Sequence, residues 1–435
     1  MLDAKGCGTL FLKALAASFS QASGVIGTQH FSTSAGVRQG ASTSCPLFTF
    51  FIDPTVDAVA ADGPDGWLGN LHSLLLMDDT VIFATSRKQM EKKLRRLKQC
   101  TDDLGMVMHP SKSKFMVVND KDTNPFILDE ITISLTSCYV YLGTLISINS
   151  ISAQVIEHIK SKTGHVMKFF SFLSKNTDAP FSVKRAVWDS AMISSIFYSC
   201  ETWITSNLRT AETVYMRTLK ALLGVRGTTC KETTLIEVGV SDARGYIRER
   251  QRRYLHKLSQ RPDFADSYIG IVIAMAIHRR TPAGRELKSL MADLSTNFME
   301  ASKANLRQDV ISKATSRRIQ YLQVNPDLSP GFAYTSCNTI PEHHRIAYTR
   351  IRLGSHRLRI ETGRWSRLPL EQRTCPCGEI QSEEHVLLKC PTTAHLRAQC
   401  MYAQSSKSLC DLLRLSSQNA AEVCKYCYNV LSAMT

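Results

Sequence analysis

Two adjacent carboxylates, Asp78 and Asp79, interrupt an apolar stretch of the chain. An apolar segment at residues 71–77 precedes them, and a second one follows at residues 81–84. This pattern predicts a β-hairpin whose tip carries both acids. Neighbouring carboxylates at a strand end are costly to desolvate unless a cation neutralises them, and Mg²⁺ shared with substrate phosphates is the usual solution. An Asp-Asp pair in an ordinary turn is the alternative.

A glycine-bounded turn lies upstream of this hairpin. Its sequence is Gly36-Val37-Arg38-Gln39-Gly40, and it opens towards a segment at residues 47–52 with helical spacing of apolar residues. Backbone N–H groups at such a turn, together with the forked guanidinium of Arg38, are suited to phosphate. The turn is therefore predicted to bind phosphate.

A third group of residues has the chemistry of a metal site. Three cysteines and a histidine are closely spaced at Cys375, Cys377, His385 and Cys390. Three thiolates and an imidazole can close a tetrahedral structural Zn²⁺ site, which would stabilise a small domain. The Cys-x-Cys spacing is tighter than the commoner Cys-x₂-Cys. One ligand could instead be any of three later residues, Cys400, Cys424 or Cys427.

The overall composition favours a folded protein with a polyanionic partner. The 435 residues are 43% hydrophobic and 21% charged, which is enough for about two to four domains. Lys and Arg number 53 against 38 Asp and Glu, so the net charge is +15. Nucleic acid is the partner that this surplus favours.

The same sequence gives little support to a membrane or secreted location. The longest apolar run, residues 268–277, has about half the length of a membrane span. Residues 10–17 weakly resemble a signal peptide, but Lys13 interrupts them. The 14 cysteines are thinly spread, unlike a secreted disulfide framework. We expect a nuclear or cytoplasmic protein.

Periodicity predicts an α+β segment followed by a helical one. Helices are expected at residues 10–19 and 86–104, and strands at residues 29–32, 115–118, 131–135 and 139–145. The 86–104 helix is amphipathic: its buried stripe is expected to comprise Met90, Leu94 and Leu97, and its solvated charged face Lys92, Lys93, Arg95, Arg96 and Lys98. Beyond a boundary near Asn149 the pattern becomes helical, with helices at residues 151–173, 182–198 and 209–223. These elements must position the groups described above.

Two later segments are strongly basic. Residues 244–261 carry seven basic side chains against Glu249 alone, and residues 342–367 carry seven arginines against Glu342 and Glu361. Either segment could lie along a phosphate backbone. A solvated helix face is the alternative.

Four short segments, taken in order, resemble the palm motifs of non-LTR (LINE-type) retrotransposon reverse transcriptases. They are residues 36–40, 74–80, 112–114 and 141–143. The resemblance extends to the Tyr-Ser-Cys-Glu-Thr-Trp segment at residues 198–203 and to the Cys-Cys-His-Cys group. Arg352 to His356 and Gly363-Arg364-Trp365 fit the same context.

The resemblance implies a role for each matched residue. Arg38, Gln39 and Gly40 would help to hold the incoming nucleotide and template, and Lys112 would lie near the nucleotide phosphates. Asp78 would ligate catalytic Mg²⁺ with Asp79 beside it. Tyr141, Leu142 and Gly143 would form the turn that grips the primer end, while RNA and DNA would be the partners.

The implied architecture is α+β. It comprises a partial right-hand polymerase palm (residues 1–148), a helical thumb (149–260), a helical connection (261–335) and a basic C-terminal segment with a zinc site (336–435). The nominal reaction is RNA-templated DNA synthesis.

The sequence departs from the family pattern in several places. Polymerases of this type need a further aspartate from an earlier palm strand. Asp3 is the only acid before the Gly36 turn, and its surroundings do not resemble that strand. Leu76 stands where tyrosine is usual, and Ser42 where proline is usual. We therefore expect a truncated copy that is inactive alone. A non-catalytic nucleic-acid-binding remnant is the alternative.

Overall fold

The computed structural model describes residues 6–20, 23–32, 36–37, 40–313, 316–416 and 418–434. The chain divides into two compact units, Met1–Ile148 and Asn149–Thr435. Among the described residues, no helix has both the length and the apolar character needed to cross a bilayer. The architecture is α+β, with all named strands in the first unit.

The first unit combines helices with short strands. Its helices are α1 (Thr9–Phe19), α2 (Ser44–Ile52), α3 (Pro54–Ala60) and α4 (Arg87–Asp103). Its strands are β1 (Ser23–Ile26), β2 (Gln29–Ser32), β3 (Ser73–Leu76), β4 (Asp79–Ile82), β5 (Lys114–Phe115), β6 (Phe126–Leu128), β7 (Ile131–Leu135), β8 (Cys138–Tyr141) and β9 (Thr144–Ser147). In the described part of the chain they form four separate small sheets, β1–β2, β3–β4, β5–β7–β6 and β8–β9.

The core of the first unit lies between α4 and the three-stranded sheet. Ser86 caps α4 by accepting a hydrogen bond from the Gln89 backbone N–H. The predicted apolar stripe of this helix is confirmed, because Leu94 and Leu97 are buried. Leu94 packs in one cluster with residues of β5, β6 and β7, and Ile82 of β4 lies against that cluster. The hairpin that carries the two acids therefore rests on this core.

The second unit is helical among its described residues. Its longer helices are α5 (Ile151–Lys175), α6 (Phe181–Val187), α8 (Arg209–Leu223), α9 (Lys231–Val238), α10 (Ala243–Ser259), α11 (Tyr268–His278), α12 (Pro282–Ala292), α13 (Phe298–Ser312), α14 (Ser316–Val324), α16 (Glu342–Arg352), α17 (Arg359–Trp365) and α21 (Ala420–Met434). Its short helices are α7 (Ser194–Ile196), α15 (Phe332–Thr335), α18 (Ala394–Arg397), α19 (Met401–Ser405) and α20 (Leu409–Leu413).

One large hydrophobic core extends through the second unit, from Val155 to Leu431. Helix α16 packs along α21, which places residues 342–352 beside the end of the chain. A smaller cluster, formed by Leu255, Ile273, Leu287 and Leu290, lies apart from the main core. The division of this unit into thumb, connection and C-terminal segment stays a prediction.

Three predicted elements differ in the structure. The strand expected at residues 115–118 is limited to β5, Lys114–Phe115. Residues 139–145 form parts of a β8–β9 hairpin instead of one strand, because Leu142 and Gly143 both adopt left-handed φ values (49° and 75°) and reverse the chain. The helix expected at residues 182–198 contains a π-helical segment, Trp188–Ile193, and the α-helix beyond it ends at Ile196. Apolar periodicity cannot report either a turn residue's φ or a π-helical segment.

Candidate functional site

The predicted acidic hairpin is confirmed. Strands β3 and β4 pair in antiparallel register with Leu76 opposite Asp79, which leaves Met77 and Asp78 as the turn. Met77 takes a left-handed φ of 57°. Both carboxylates are exposed to solvent. Asp78 therefore lies at the tip and Asp79 begins β4, an arrangement that leaves both side chains accessible to a cation.

A second hairpin brings the predicted primer-grip residues towards this acidic tip. Tyr141 ends β8, and burial together with the negative charge of Asp79 raises the pKa of its phenol. The phenol and the Asp79 carboxylate are thus within electrostatic range of each other. The Tyr139 hydroxyl donates to the Lys112 carbonyl oxygen at 3.1 Å, which ties the same hairpin to the loop that carries Lys112. The Lys112 side chain itself is exposed.

A buried ion pair, absent from the sequence-based prediction, holds the acidic hairpin in place. The Lys93 ammonium is fully buried and lies 2.8 Å from the Asp65 carboxylate. The same ammonium donates to the Phe83 carbonyl oxygen, directly after β4, at 2.7 Å. Burial raises the pKa of Asp65, but hydrogen bonds from Lys93 and Thr85 outweigh it and leave that pKa below its usual range. Lys93 thereby links α4 to the base of the hairpin.

Of the remaining predicted nucleotide-binding residues, only Gly40 lies within the described part of the chain. Arg38 and Gln39 lie outside the described residues, as does Asp3. Gly40 is described, with a left-handed φ of 82° that favours glycine. Within the described ranges, no third His, Cys, Asp or Glu joins Asp78 and Asp79 in a metal-sized group. Among the described residues, the acidic group at this hairpin thus consists of Asp78 and Asp79.

The four predicted zinc ligands come together in the second unit. Their donor atoms all lie within 4.8 Å of one another, and the group could hold a metal ion. Cys375 Sγ is 3.6 Å from Cys390 Sγ, and Cys377 Sγ is 3.1 Å from His385 Nε2. Zn–S bonds of about 2.3 Å at a tetrahedral angle require sulfur atoms about 3.8 Å apart. The spacing and the donor chemistry therefore fit zinc.

Local structure fixes these ligands. The Cys375 backbone N–H donates to the Glu379 carbonyl oxygen at 2.7 Å, which closes a tight turn through Gly378 (φ 96°). His385 begins a π-helical segment, His385–Lys389, and Cys390 follows its last residue. Burial raises the pKa of Cys375 to about 12, whereas hydrogen bonds from Thr392 and Cys375 overcome burial and lower the pKa of Cys390.

The structure separates these four residues from the alternative ligands. The alternative ligands are Cys400, Cys424 and Cys427. All three are buried in the main hydrophobic core of the second unit. Burial raises the pKa of Cys400 to about 11 and that of Cys424 to about 12. Among the described residues, the metal-sized group contains none of them.

The basic helix at residues 244–261 is less available than its sequence suggests. Five arginines of α10 form ion pairs within the chain, Arg244 with Glu212, Arg248 with Glu286, Arg250 with Glu201, and Arg252 and Arg253 with Glu249. Most of these acids are distant in sequence, so a local charge count could not reveal them. These ion pairs offset much of the positive charge of the helix, and its phosphate-binding role stays a prediction.

The basic segment at residues 342–367 divides into buried and exposed arginines. Arg345 pairs with Glu342 at 2.7 Å, and Arg352 with Glu237 at 2.8 Å, in the protein interior. Four others are exposed, Arg350, Arg357, Arg359 and Arg367. This exposed set retains the positive charge that could meet a polyanion.

The Tyr-Ser-Cys-Glu-Thr-Trp segment has a packing role. Cys200 and Trp203 are buried in the main core. Glu201 accepts a hydrogen bond from Arg250 Nε at 2.7 Å, and the Gln251 amide donates to the Trp203 carbonyl oxygen at 2.8 Å. These contacts attach α10 to the end of the preceding helical region.

Part of the chain is similar to a known protein family. No curated protein matches the chain. Residues 6–159 match the family model described as reverse transcriptase (RNA-dependent DNA polymerase). This match covers the acidic hairpin, the Lys112 loop and the Tyr141 hairpin. The segment that carries Asp78 and Asp79 is therefore similar to reverse transcriptase domains.

Proposed function

We propose that the chain descends from a non-LTR (LINE-type) reverse transcriptase, with RNA-templated DNA synthesis as its nominal reaction. The observation that carries the proposal is the exposed acidic hairpin, with Tyr141 in range of Asp79, inside a segment matched by the reverse transcriptase family. The resemblance of the four motifs and of the Cys-Cys-His-Cys group supports the LINE-type origin.

The proposed chemistry assigns a task to each side chain. Asp78 and Asp79 would hold Mg²⁺, which lowers the cost of the charge that develops on the transferred phosphoryl group. Lys112, on the loop tied to β8, would attract the nucleotide phosphates. The Tyr141 turn would place the primer end beside the acids. Arg38, Gln39 and Gly40 would position the incoming nucleotide and template.

The proposal includes inactivity of this chain alone. The described residues offer only two acids at the hairpin, whereas in-line transfer with two metals needs a third carboxylate. The second candidate function is accordingly nucleic-acid binding without synthesis. The exposed arginines of residues 342–367 favour it.

We also propose that Cys375, Cys377, His385 and Cys390 bind structural Zn²⁺. The proposal is supported by the mutual spacing of the four donor atoms, all within 4.8 Å of one another, and by their soft sulfur and imidazole chemistry. Among the described residues, the site has no other ligand group at hand and serves folding rather than catalysis.

Primer extension on an RNA template with Mg²⁺ tests the catalytic proposal. We compare the intact protein with Asp78→Asn, and use Asp57→Asn, an acid of α3 outside the hairpin, as the matched control. No incorporation by any of them, with salt-dependent nucleic-acid binding retained, is the expected result. Incorporation that disappears only in Asp78→Asn would show instead that a third acid completes the site. Absence of both incorporation and binding would contradict a nucleic-acid function altogether.

A further inference from the structure

A basic cavity of about 560 Å³ lies in the second unit. Three arginines line it, Arg226, Arg350 and Arg357, and among the described lining residues there is no carboxylate. His343 and Tyr428 form part of its wall. A cavity of this size can hold a nucleotide-sized ligand.

Backbone contacts place the arginines around this cavity. Gly224 ends α8 with a left-handed φ of 73°, and its carbonyl oxygen accepts a hydrogen bond from Arg350 Nε at 2.8 Å. The Arg226 backbone N–H donates to Ser355 Oγ at 2.9 Å. The Arg226 guanidinium stacks 3.8 Å from the centroid of the Trp365 ring. These contacts orient the positive groups in advance of any ligand.

The arginine side chains around the cavity repel one another electrostatically. Arg350 is exposed in part, yet burial of the rest of its side chain lowers its pKa, and the neighbouring positive charges of Arg357 and Arg345 lower it further. Arg345 already pairs with Glu342, whereas Arg357 is exposed at the cavity rim. An anion bound between Arg350 and Arg357 would offset this repulsion and form charge-assisted hydrogen bonds.

An aromatic cluster flanks the arginines. The rings of His343 and His344 lie 4.8 Å and 5.0 Å from the Tyr428 ring. Tyr428 is 37% exposed, so part of its ring is open to a ligand. Positive charge beside an accessible aromatic ring is the combination by which proteins bind unpaired nucleotides, through phosphate contacts and base stacking.

We propose that this cavity binds a phosphate ester of a nucleotide or of single-stranded nucleic acid, with Arg350 and Arg357 on the phosphate and Tyr428 against the base. The proposal rests on the proposed function for its class of partner. It adds a site in the second unit, separate from the acidic hairpin.

The test measures binding of a fluorescent 12-nucleotide single-stranded RNA by anisotropy across a range of salt concentrations. Arg357→Gln is compared with Arg359→Gln, because both arginines are exposed on one segment and only Arg357 lines the cavity. Loss of one phosphate contact should make the log–log salt dependence shallower by about 0.7. We expect this change in Arg357→Gln only, restoration in Arg357→Lys, and weaker binding with an unchanged slope in Tyr428→Leu.

Competition distinguishes the two sources of phosphate. Displacement of the RNA by AMP would show that a nucleotide suffices, whereas retention of the RNA against AMP, inorganic phosphate and a polyglutamate peptide would support a phosphodiester backbone in the cavity. Equal slopes for wild type and Arg357→Gln, with no binding of AMP, would overturn the proposal. Displacement by a polyglutamate peptide but by neither phosphate compound would overturn it as well.

The catalytic proposal can fail without affecting this one. Arg357 lies in the second unit, so Arg357→Gln leaves Asp78 and Asp79 unchanged. Primer extension that proceeds without loss in Asp78→Asn would contradict the proposed catalytic hairpin. RNA binding that depends on Arg357 would then still support the cavity.

Discussion

At the scale of single residues, the acidic hairpin depends on Lys93. This lysine lies on the buried face of α4 and contacts both the Asp65 carboxylate and the Phe83 carbonyl oxygen. The Lys93 ammonium and the Asp65 carboxylate are both shielded from water. Removing one partner of such a pair leaves the other charge buried and uncompensated. The hairpin that carries the proposed metal ligands is therefore held by a charge contact as well as by apolar packing.

We predict that Lys93→Met destabilises the first unit by about 3–5 kcal/mol. Hydrogen exchange measured by mass spectrometry should show faster exchange of β3 and β4 amides. Lys92→Met is the matched control, because Lys92 is exposed on the same helix and should leave exchange unchanged. Adding Asp65→Asn to Lys93→Met should recover part of the protection. Unchanged exchange in Lys93→Met would show that the ion pair does not hold the hairpin.

The sequence predicted which side chains lie together better than it predicted the contacts that support them. The Asp78–Asp79 pair and the Cys-Cys-His-Cys group were recognisable because each is local, within a hairpin or within 16 residues, and their roles as metal ligands stay predictions. Lys93 was assigned to a solvated charged face, yet it is fully buried. Its partner Asp65 lies 28 residues away, and a pairing at that distance leaves no periodic signal.

At the scale of elements, the proposed zinc module supports a wall of the basic cavity. His356 lines the cavity, and its Nε2 atom lies 2.6 Å from the Glu383 carboxylate. Glu383 is two residues before His385, a proposed zinc ligand. The Arg359 backbone N–H donates to the Gln381 side chain at 2.7 Å, and the Ile360 backbone N–H donates to the Gln381 carbonyl oxygen at 3.2 Å. The start of α17 is therefore attached to the segment that carries the Cys-Cys-His-Cys group.

Substitution of one ligand should release the metal and loosen this wall. We predict that purified wild-type protein contains one equivalent of zinc by metal analysis and that Cys390→Ala contains none. Hydrogen exchange at residues 355–365 should become faster in Cys390→Ala. Cys400→Ala, a change at an alternative ligand in the core, should retain zinc. Full zinc retention in Cys390→Ala, or zinc loss in Cys400→Ala, would refute the ligand assignment.

The same contrast between local and distant contacts explains why the sequence could not predict which arginines are paired with acids. Each basic segment is visible in the sequence, but the neutralising acids of α10 come from Glu201, Glu212 and Glu286, on other elements. Folding thus places acids beside most arginines of α10, although Arg250 and Arg253 stay exposed. Residues 342–367 keep exposed arginines because only part of that segment faces the core.

At the scale of the whole molecule, the second unit carries acids whose ionisation is tied to folding. Hydrogen bonds from Arg252 and Arg253 outweigh burial and lower the pKa of Glu249 to about 2. Hydrogen bonds from Cys230 and Arg318 likewise outweigh the burial of Glu232 and lower its pKa to about 2. Both carboxylates favour the charged form in the folded chain more strongly than in the unfolded one, where their pKa is near 4.5.

We predict from these shifts that the second unit loses stability in acid. A folded-state pKa below the unfolded value contributes stability that is fully present above about pH 4.5 and is lost as pH falls towards 2. Glu249 alone accounts for up to about 3 kcal/mol, and Glu249→Gln should remove that contribution at pH 7. The variant and the wild type should therefore converge in stability near pH 2.

Tryptophan fluorescence during denaturation follows this unit, since three of the four tryptophans, Trp188, Trp203 and Trp365, belong to it. A stability difference that stays constant from pH 7 to pH 2 would show that Glu249 acts through packing, because only a charge interaction disappears when the carboxylate is protonated.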